Sequence, residues 1–211
     1  MLSIIQAAGW PIWPLLVCSV LALALVLERL ISLRPSRIAP SSLLDEALTV
    51  SAHGLPSSEV VQQLEQNSAL GEVLASGFKT LLQHPQCSEA DLRTELEGTG
   101  RRVAAKLDKH LSALATIASA APLLGLLGTV IGMIDIFGSQ SAGPGALSGG
   151  SNPAQLAHGI SVALYNTAFG LIVAIPSLIF WRYFRSRADA YLLTMELAAE
   201  RLLRHLNTLR K

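Results

Sequence analysis

The sequence predicts an all-α membrane protein that crosses the bilayer as three helices and carries long cytoplasmic helical extensions. Three observations predict it. Of 211 residues, 51% are hydrophobic and only 15% charged, where soluble domains carry roughly 25% charged residues. The apolar residues are gathered into long runs rather than spread at the period of an amphipathic helix or strand, and mean hydropathy is +0.45. Ten of the 16 Lys and Arg residues bunch near the ends of those runs. A net charge of +1 supplies no bulk basicity for nucleic acid, so the expected surroundings are membrane lipid.

The first run, residues 2–27, contains no charge, and about 20 apolar residues suffice to cross a hydrocarbon core of roughly 30 Å. No Lys or Arg precedes Arg29, so the run reads as a retained helix and not as a signal peptide, which opens on a basic segment. Pro11 and Pro14 suit a first helical turn. Residues 2–9 are therefore expected along the interface, with Trp10 and Trp13 anchored among headgroups. The second run, residues 111–134, ends at Asp135, and the third, residues 159–181, ends at Arg182.

Basic residues set the orientation. Arg29, Arg34 and Arg37 follow the first run, Arg101, Arg102, Lys106 and Lys109 precede the second, and Arg182, Arg185 and Arg187 follow the third. Residues 137–157 contain no Lys or Arg. The positive-inside rule then puts the N-terminus outside and the C-terminus in the cytoplasm. The expected organisation is residues 1–31 for the N-terminal segment and first transmembrane helix, and 32–110 for a cytoplasmic helical region. Residues 111–136 form the second transmembrane helix, 137–157 an outer loop, 158–182 the third helix and 183–211 a cytoplasmic C-terminal helix.

Ser88 followed by Asp91 reads as a helix start. From there Leu92, Leu96, Val103, Leu107, Leu111 and Leu114 recur at helical spacing, which predicts a helix continuing into the second span. In the tail, Tyr191, Leu192, Met195, Ala199, Leu202, Leu206 and Leu209 form a second stripe. Two such faces either cover each other within the chain or pack between subunits. Residues 35–56 are turn-rich, with a break at His53-Gly54-Leu55-Pro56. Cys18 and Cys87 are too few for a disulfide framework and read as thiols.

The second and third spans carry small residues at spacings of three and four. Gly125, Gly128 and Gly132 lie on one, and Ala163 and Gly170 on the other. Such faces let backbones approach closely in lipid, where no hydrophobic drive operates between helices. Packing alone accounts for the glycines. Thr129 and Thr167 fall midway along the two small faces, with Asn166 adjacent. Each threonine either bonds back to its own helix or the two together line a polar path. Pro122 and Pro176 free backbone carbonyls near that path. Asp135 is either an interfacial residue or a cation-attracting entrance. The five histidines are scattered, and no HExxH or paired metal spacing occurs. An enzyme, a metal site and a cofactor are therefore not expected.

The run from Pro122 to Ile134, PLLGLLGTVIGMI, followed by GISVALYNTAFGLIVAIP from Gly159 to Pro176, resembles the signature of the MotA/TolQ/ExbB proton-channel family. Glu28-Arg29 at the end of the first span is similar as well. The resemblance covers the second and third spans closely and the whole topology loosely, and it is most like ExbB. It implies a bacterial inner-membrane protein with a periplasmic N-terminus, assembled as a homo-oligomeric ring, a pentamer in the ExbB and TolQ branches. The ring would surround helices of a single-span ExbD/TolR-type partner that carries a titrating aspartate, and would power a TonB-type protein. A TolQ-like role in Tol–Pal envelope maintenance and a scaffold without conduction are the alternatives. The transported ion implied is H+, with Na+ the other candidate. The family's pore threonines carry over to Thr129 and Thr167. Val162, with Ser161 beside it, occupies the place where ExbB and TolQ proteins commonly have Glu, so protonation is expected to fall to the partner.

Overall fold

The computed structural model describes residues 10–52, 54–141 and 153–209. The side chains of residues 139–141, 153–156, 158, 162 and 209 lie outside that description. All regular structure among the described residues is helical. In order these are α1 (Ile12–Ser32), α2 (Pro35–Ile38), α3 (Leu43–Ser51), α4 (Ser58–Asn67), α5 (Ala69–Gln83), α6 (Glu89–Asp108), α7 (Leu111–Ser141) and α8 (Pro153–Leu209). The chain divides into two compact units, one built from residues 1–27 and 112–182, the other from residues 28–111 and 183–211.

In the first unit three helical segments are long and apolar enough to cross a membrane. α1 starts after a turn at Trp10 and Pro11, where the Trp13 amide donates to the Trp10 carbonyl at 3.2 Å. Pro14 is then its third residue, where no intrahelical donor is needed. The indoles of Trp10 and Trp13 are exposed, and residues 2–9 lie outside the described residues. Leu15 of α1, Ala121 of α7 and Ala174 of α8 form a small core, backed by Leu124, Phe169 and Val173. Outward-facing residues such as Val20, Leu123, Ile172 and Ile179 are more than 60% exposed. So large an exposed apolar surface fits contact with lipid.

Two boundaries differ from the sequence reading. α7 runs on to Ser141 and α8 begins at Pro153, so helices take up both ends of the expected outer loop. Nothing in 137–141 breaks a helix, and proline is well suited to a first helical position. The long helix expected from Ser88 through the second span is interrupted by a turn at Lys109 and His110. Lys109 nevertheless keeps helical dihedrals, φ −47° and ψ −45°. α8, by contrast, is continuous over 57 residues.

The second unit is a water-type core. α5 is buried on most sides, through Leu70, Val73, Leu74, Phe78 and Leu81. Leu96 of α6 and Leu202 of α8 close over Gly77. Both predicted stripes are buried within one chain, with α5 between them: Leu92, Leu96, Val103 and Leu107 on α6, Met195, Leu202 and Leu206 on α8. Ser88 and Asp91 form a reciprocal capping box at the start of α6. The Ser88 hydroxyl and amide both donate to the Asp91 carboxylate, which lowers its pKa below the ordinary 3.8. Gly54, at φ 134°, makes the break between α3 and α4 in a left-handed conformation that favours glycine; His53 lies outside the described residues. Polar ties join the remaining segments. Glu28 lies 3.2 Å from His110 Nδ1 and 3.2 Å from Arg29 Nε, the Arg185 guanidinium donates to Asp108 at 2.6 Å, and the Tyr191 hydroxyl caps the Leu33 carbonyl at 3.2 Å. Cys18 and Cys87 belong to different units, and neither is in a disulfide.

Candidate functional site

In the first unit α7 and α8 approach so closely that their glycines meet backbone. A methyl group built at Gly125 would stand 2.8 Å from the Asn166 carbonyl oxygen and 3.0 Å from the Thr167 Cα. One built at Gly170 would stand 2.7 Å from the Ala121 carbonyl oxygen and 3.2 Å from the Gly125 Cα. Only hydrogen fits at either place. At Gly128 the obstacle is a side chain, since a Cβ there would fall 2.8–2.9 Å from Cβ, Cγ and Nδ2 of Asn166. Gly128 is therefore the hollow that receives the Asn166 amide, itself 2% exposed. Gly132 meets Ala163 at an ordinary 3.4 Å.

These contacts bring together most of the residues singled out on the second and third spans. The Thr167 hydroxyl reaches across the contact and donates to the Gly125 carbonyl at 3.4 Å. Thr129 behaves differently: its hydroxyl donates to the Leu126 carbonyl of its own helix at 2.7 Å. Thr129 lines a shallow surface groove on α7 with Val130, Met133 and Ile134. Because Gly125 faces Thr167 and Gly128 faces Asn166, the two threonines lie within about one helical turn in depth. Asn166 and Thr167 thus put an amide and a hydroxyl at the contact, and Thr129 puts a second hydroxyl on the adjoining open face.

The remaining candidates lie further out. Ser161 is exposed and donates to the Ala157 carbonyl at 2.9 Å. Asp135 is an exposed residue of α7. Val162, whose side chain lies outside the described residues, is helical. α7 and α8 pass through Pro122 and Pro176 without a break. Each proline lacks an N–H, which leaves the carbonyl four residues earlier, Ala118 and Ile172, without its usual helical donor. No group of His, Cys, Asp and Glu that could hold a metal occurs among the described residues.

Sequence reasoning missed the part played by α1. Its aliphatic run is read above only as a span, yet Ile12, Leu15, Ala22 and Val26 are buried, and Leu15 packs on the small residues of α7 and α8. Ala22 excepted, nothing in residue size separates these positions from their exposed neighbours. Periodicity could have found them only with the partner face already known.

Residues 65–197 match the model of the MotA/TolQ/ExbB proton channel family. The chain is 34% identical over 173 residues to the biopolymer transport protein exbB1 of Vibrio cholerae, covering 82% of this chain and 73% of that one. It is 31% identical over 140 residues to the biopolymer transport protein ExbB of Aquifex aeolicus, covering 65% and 91% of the two chains. Likewise it is 33% identical over 147 residues to the Tol-Pal system protein TolQ of Pseudomonas aeruginosa, covering 64% and 62%.

Proposed function

Because the chain belongs to the MotA/TolQ/ExbB proton channel family, we propose that it is an ExbB-like subunit of a proton-driven energy-coupling complex in the bacterial inner membrane. Five copies form a ring around helices of an ExbD-type single-span partner, and the assembly powers a TonB-type protein. The N-terminus is periplasmic and the C-terminus cytoplasmic, the arrangement favoured by the Lys and Arg distribution. The observation that carries the reading is the contact of α7 and α8, where an amide and a hydroxyl are held against the glycines of the facing helix.

The mechanism follows from what these groups lack. Thr129, Thr167 and Asn166 are neutral, and residues 111–134 and 159–181 contain no carboxylate. A full charge at the bilayer centre costs roughly 2.5–3.5 kcal/mol on insertion scales. Neutral hydroxyls lower that cost for a passing cation without binding it permanently. With Val162 where relatives commonly have Glu, the group that takes and releases the proton belongs to the partner. One elementary charge crossing 100 mV releases about 2.3 kcal/mol, so a few protons per cycle suffice to turn the partner against the ring.

The test is purification with the proteins encoded beside it and reconstitution into vesicles under an imposed potential. The expected result is H+ movement that stops when the partner's membrane carboxylate is neutralised. Movement of Na+ in place of H+ changes the ion. A stable complex that moves neither ion leaves a scaffold and overturns the reading. A TolQ-like role is the second reading, favoured by the similarity to TolQ of P. aeruginosa. Co-purification with Tol–Pal proteins in place of a TonB-type protein would decide for it.

A further inference from the structure

In the first unit the exposed residues of α1 and α7 differ sharply at one depth. Leu15 of α1 shares a small core with Ala121 of α7, which fixes the level of one helix against the other. Basic residues follow α1 and precede α7, which sets the two helices antiparallel. At about 1.5 Å per residue, Ser119 and Val17 then lie about 3 Å toward the cytoplasm from that contact. Thr116 and Val20 lie about 8 Å from it, and Ser112 and Leu23 about 12–14 Å. On α1 the exposed residues from Val17 to Leu27 are all apolar: Val17, Val20, Leu21, Leu23, Ala24 and Leu27. On α7 at the same depths they are Ser112, Ala113, Thr116 and Ser119. Further outward the exposed face of α7 turns apolar, with Leu123 and Leu126 at 66% and 55% exposure.

At about 100° per residue, Ser112, Thr116 and Ser119 share one face of α7. It lies opposite Ala121, Gly125 and Gly128, which meet α8, and on the same side as the groove lined by Thr129, Val130, Met133 and Phe137. The Thr116 hydroxyl donates to the Ser112 carbonyl at 3.0 Å, and Ser119 donates to the Ala115 carbonyl at 3.1 Å. A hydroxyl that has given its proton still carries lone pairs that accept. One residue before Ser119, the Ala118 carbonyl has no N–H from Pro122. Lipid tails supply no donor to any of these acceptors; water does.

We propose that this face of α7 lines a water-filled vestibule, open to the cytoplasm and closed by Leu123 and Leu126 before it reaches Thr129. This inference deepens the ring reading above and rests on it: α1 is the rim against lipid, and α7 turns its hydroxyls to the bore. Between Ser119 and Thr129 the apolar step is about 15 Å long. An ion that passes Thr129 has only this step to cross before water hydrates it.

Thiol accessibility tests this in a background of Cys18→Ser and Cys87→Ser. Inside-out membrane vesicles holding the complex with its partner proteins are treated with an impermeant sulfonated maleimide. The thiols left are counted after denaturation with a polyethylene-glycol maleimide, which shifts the band. Thr116, Ser119, Val20, Leu23 and Leu126 are all exposed, so cysteine is tolerated at each. Thr116→Cys and Ser119→Cys should react at least tenfold faster than Val20→Cys and Leu23→Cys, and Leu126→Cys should be as slow as the α1 pair. If Thr116→Cys and Ser119→Cys are as slow as the α1 pair in a complex that moves protons, the vestibule is overturned and the proposed function stands. Val20→Cys as fast as Thr116→Cys overturns it too, because the two faces are then equally wet. Leu126→Cys as fast as Ser119→Cys overturns the apolar closure. The expected pattern in a complex that moves no ion supports the vestibule and overturns the proposed function.

Discussion

Gly170→Ala adds one methyl group where α7 and α8 touch backbone to backbone, and its cost can be worked from the contact. The new Cβ would stand 2.7 Å from the Ala121 carbonyl oxygen and 3.2 Å from the Gly125 Cα. Ordinary contact begins near 3.4 Å, so the helices must separate by roughly 0.7 Å there, and neither obstacle is a side chain able to swing away. Overpacking of this kind costs about 1–3 kcal/mol. Alanine returns part of that, since Gly in a helix interior is about 0.8–1.0 kcal/mol worse than Ala. The net expectation is a loss of up to about 2 kcal/mol. Gly100→Ala on α6 isolates the second effect, because a methyl there meets nothing within 4 Å; it should stabilise by up to about 1 kcal/mol. Unfolding in mixed detergent micelles, followed by tryptophan fluorescence and circular dichroism, reads the two variants side by side. Separation also stretches the Thr167–Gly125 hydrogen bond, already 3.4 Å long, so ion flux should fall more than stability alone explains. If Gly170→Ala proves as stable as Gly100→Ala and conducts normally, the close approach is not what organises this site.

Thr167→Val keeps the shape and removes the hydroxyl, so proton flux in reconstituted vesicles should drop at least tenfold; Thr167→Ser should retain most of it. Thr129→Ala should also lower flux while changing stability by less than about 1 kcal/mol, because its hydroxyl serves only its own turn. Ser88→Ala removes the α6 cap and should cost about 1 kcal/mol, read as earlier hydrogen exchange in the first turn of α6. The Asp91 pKa is depressed in the folded chain. Its stabilisation is therefore present above 3.8 and lost as pH falls through the lower folded value; the same amides should lose protection there in the parent chain and not in Asp91→Asn. Phe78→Ala, at a residue 1% exposed, should destabilise the second unit by about 3–5 kcal/mol, visible in chemical unfolding.

What was legible in the sequence follows from the strength of the physical signal. Charge-free runs bounded by basic residues are long signals, and three membrane-length helices occupy those runs. Ser88 and Asp91 announced a helix start that the capping box bears out. The opposed pairing of Gly125 with Gly170 and of Gly128 with Asn166 was not legible, because spacing places residues on a face but says nothing of register between faces. The turn at Lys109 and His110 has no Gly or Pro to mark it. The central position of α5 also went unread, although Ser68 caps it and Leu70, Val73, Leu74, Phe78 and Leu81 recur at helical spacing. Its near-complete burial depends on α6 and α8, which lie far from it in sequence.

The residues buried along α8 change size at one place, and the change has a solvent cause. From Ala163 through Asn166, Gly170, Ala174 and Ser177 they are small or polar; from Phe184 through Met195, Leu202 and Leu206 they are mostly large. α7 shows the same change in the opposite direction. Leu111, Leu114 and Ile117 are buried before the small series Ala118, Ala121, Gly125 and Gly128 begins. Burying a leucine against another helix gains little where the alternative neighbour is a lipid tail, so close backbone approach is the better use of a contact there. Where the alternative is water, the leucine gains the full transfer energy, about 25 cal/mol per Å². The size of the buried residues changes near residues 177–184 on α8 and 117–118 on α7, the pattern expected of a helix that passes from lipid into water. Arg182, Arg185 and Arg187 lie at or just beyond the first mark, and Lys106 and Lys109 lie within about twelve residues of the second. Contact size and charge placement are independent properties of the sequence, and on α8 both change over residues 177–187.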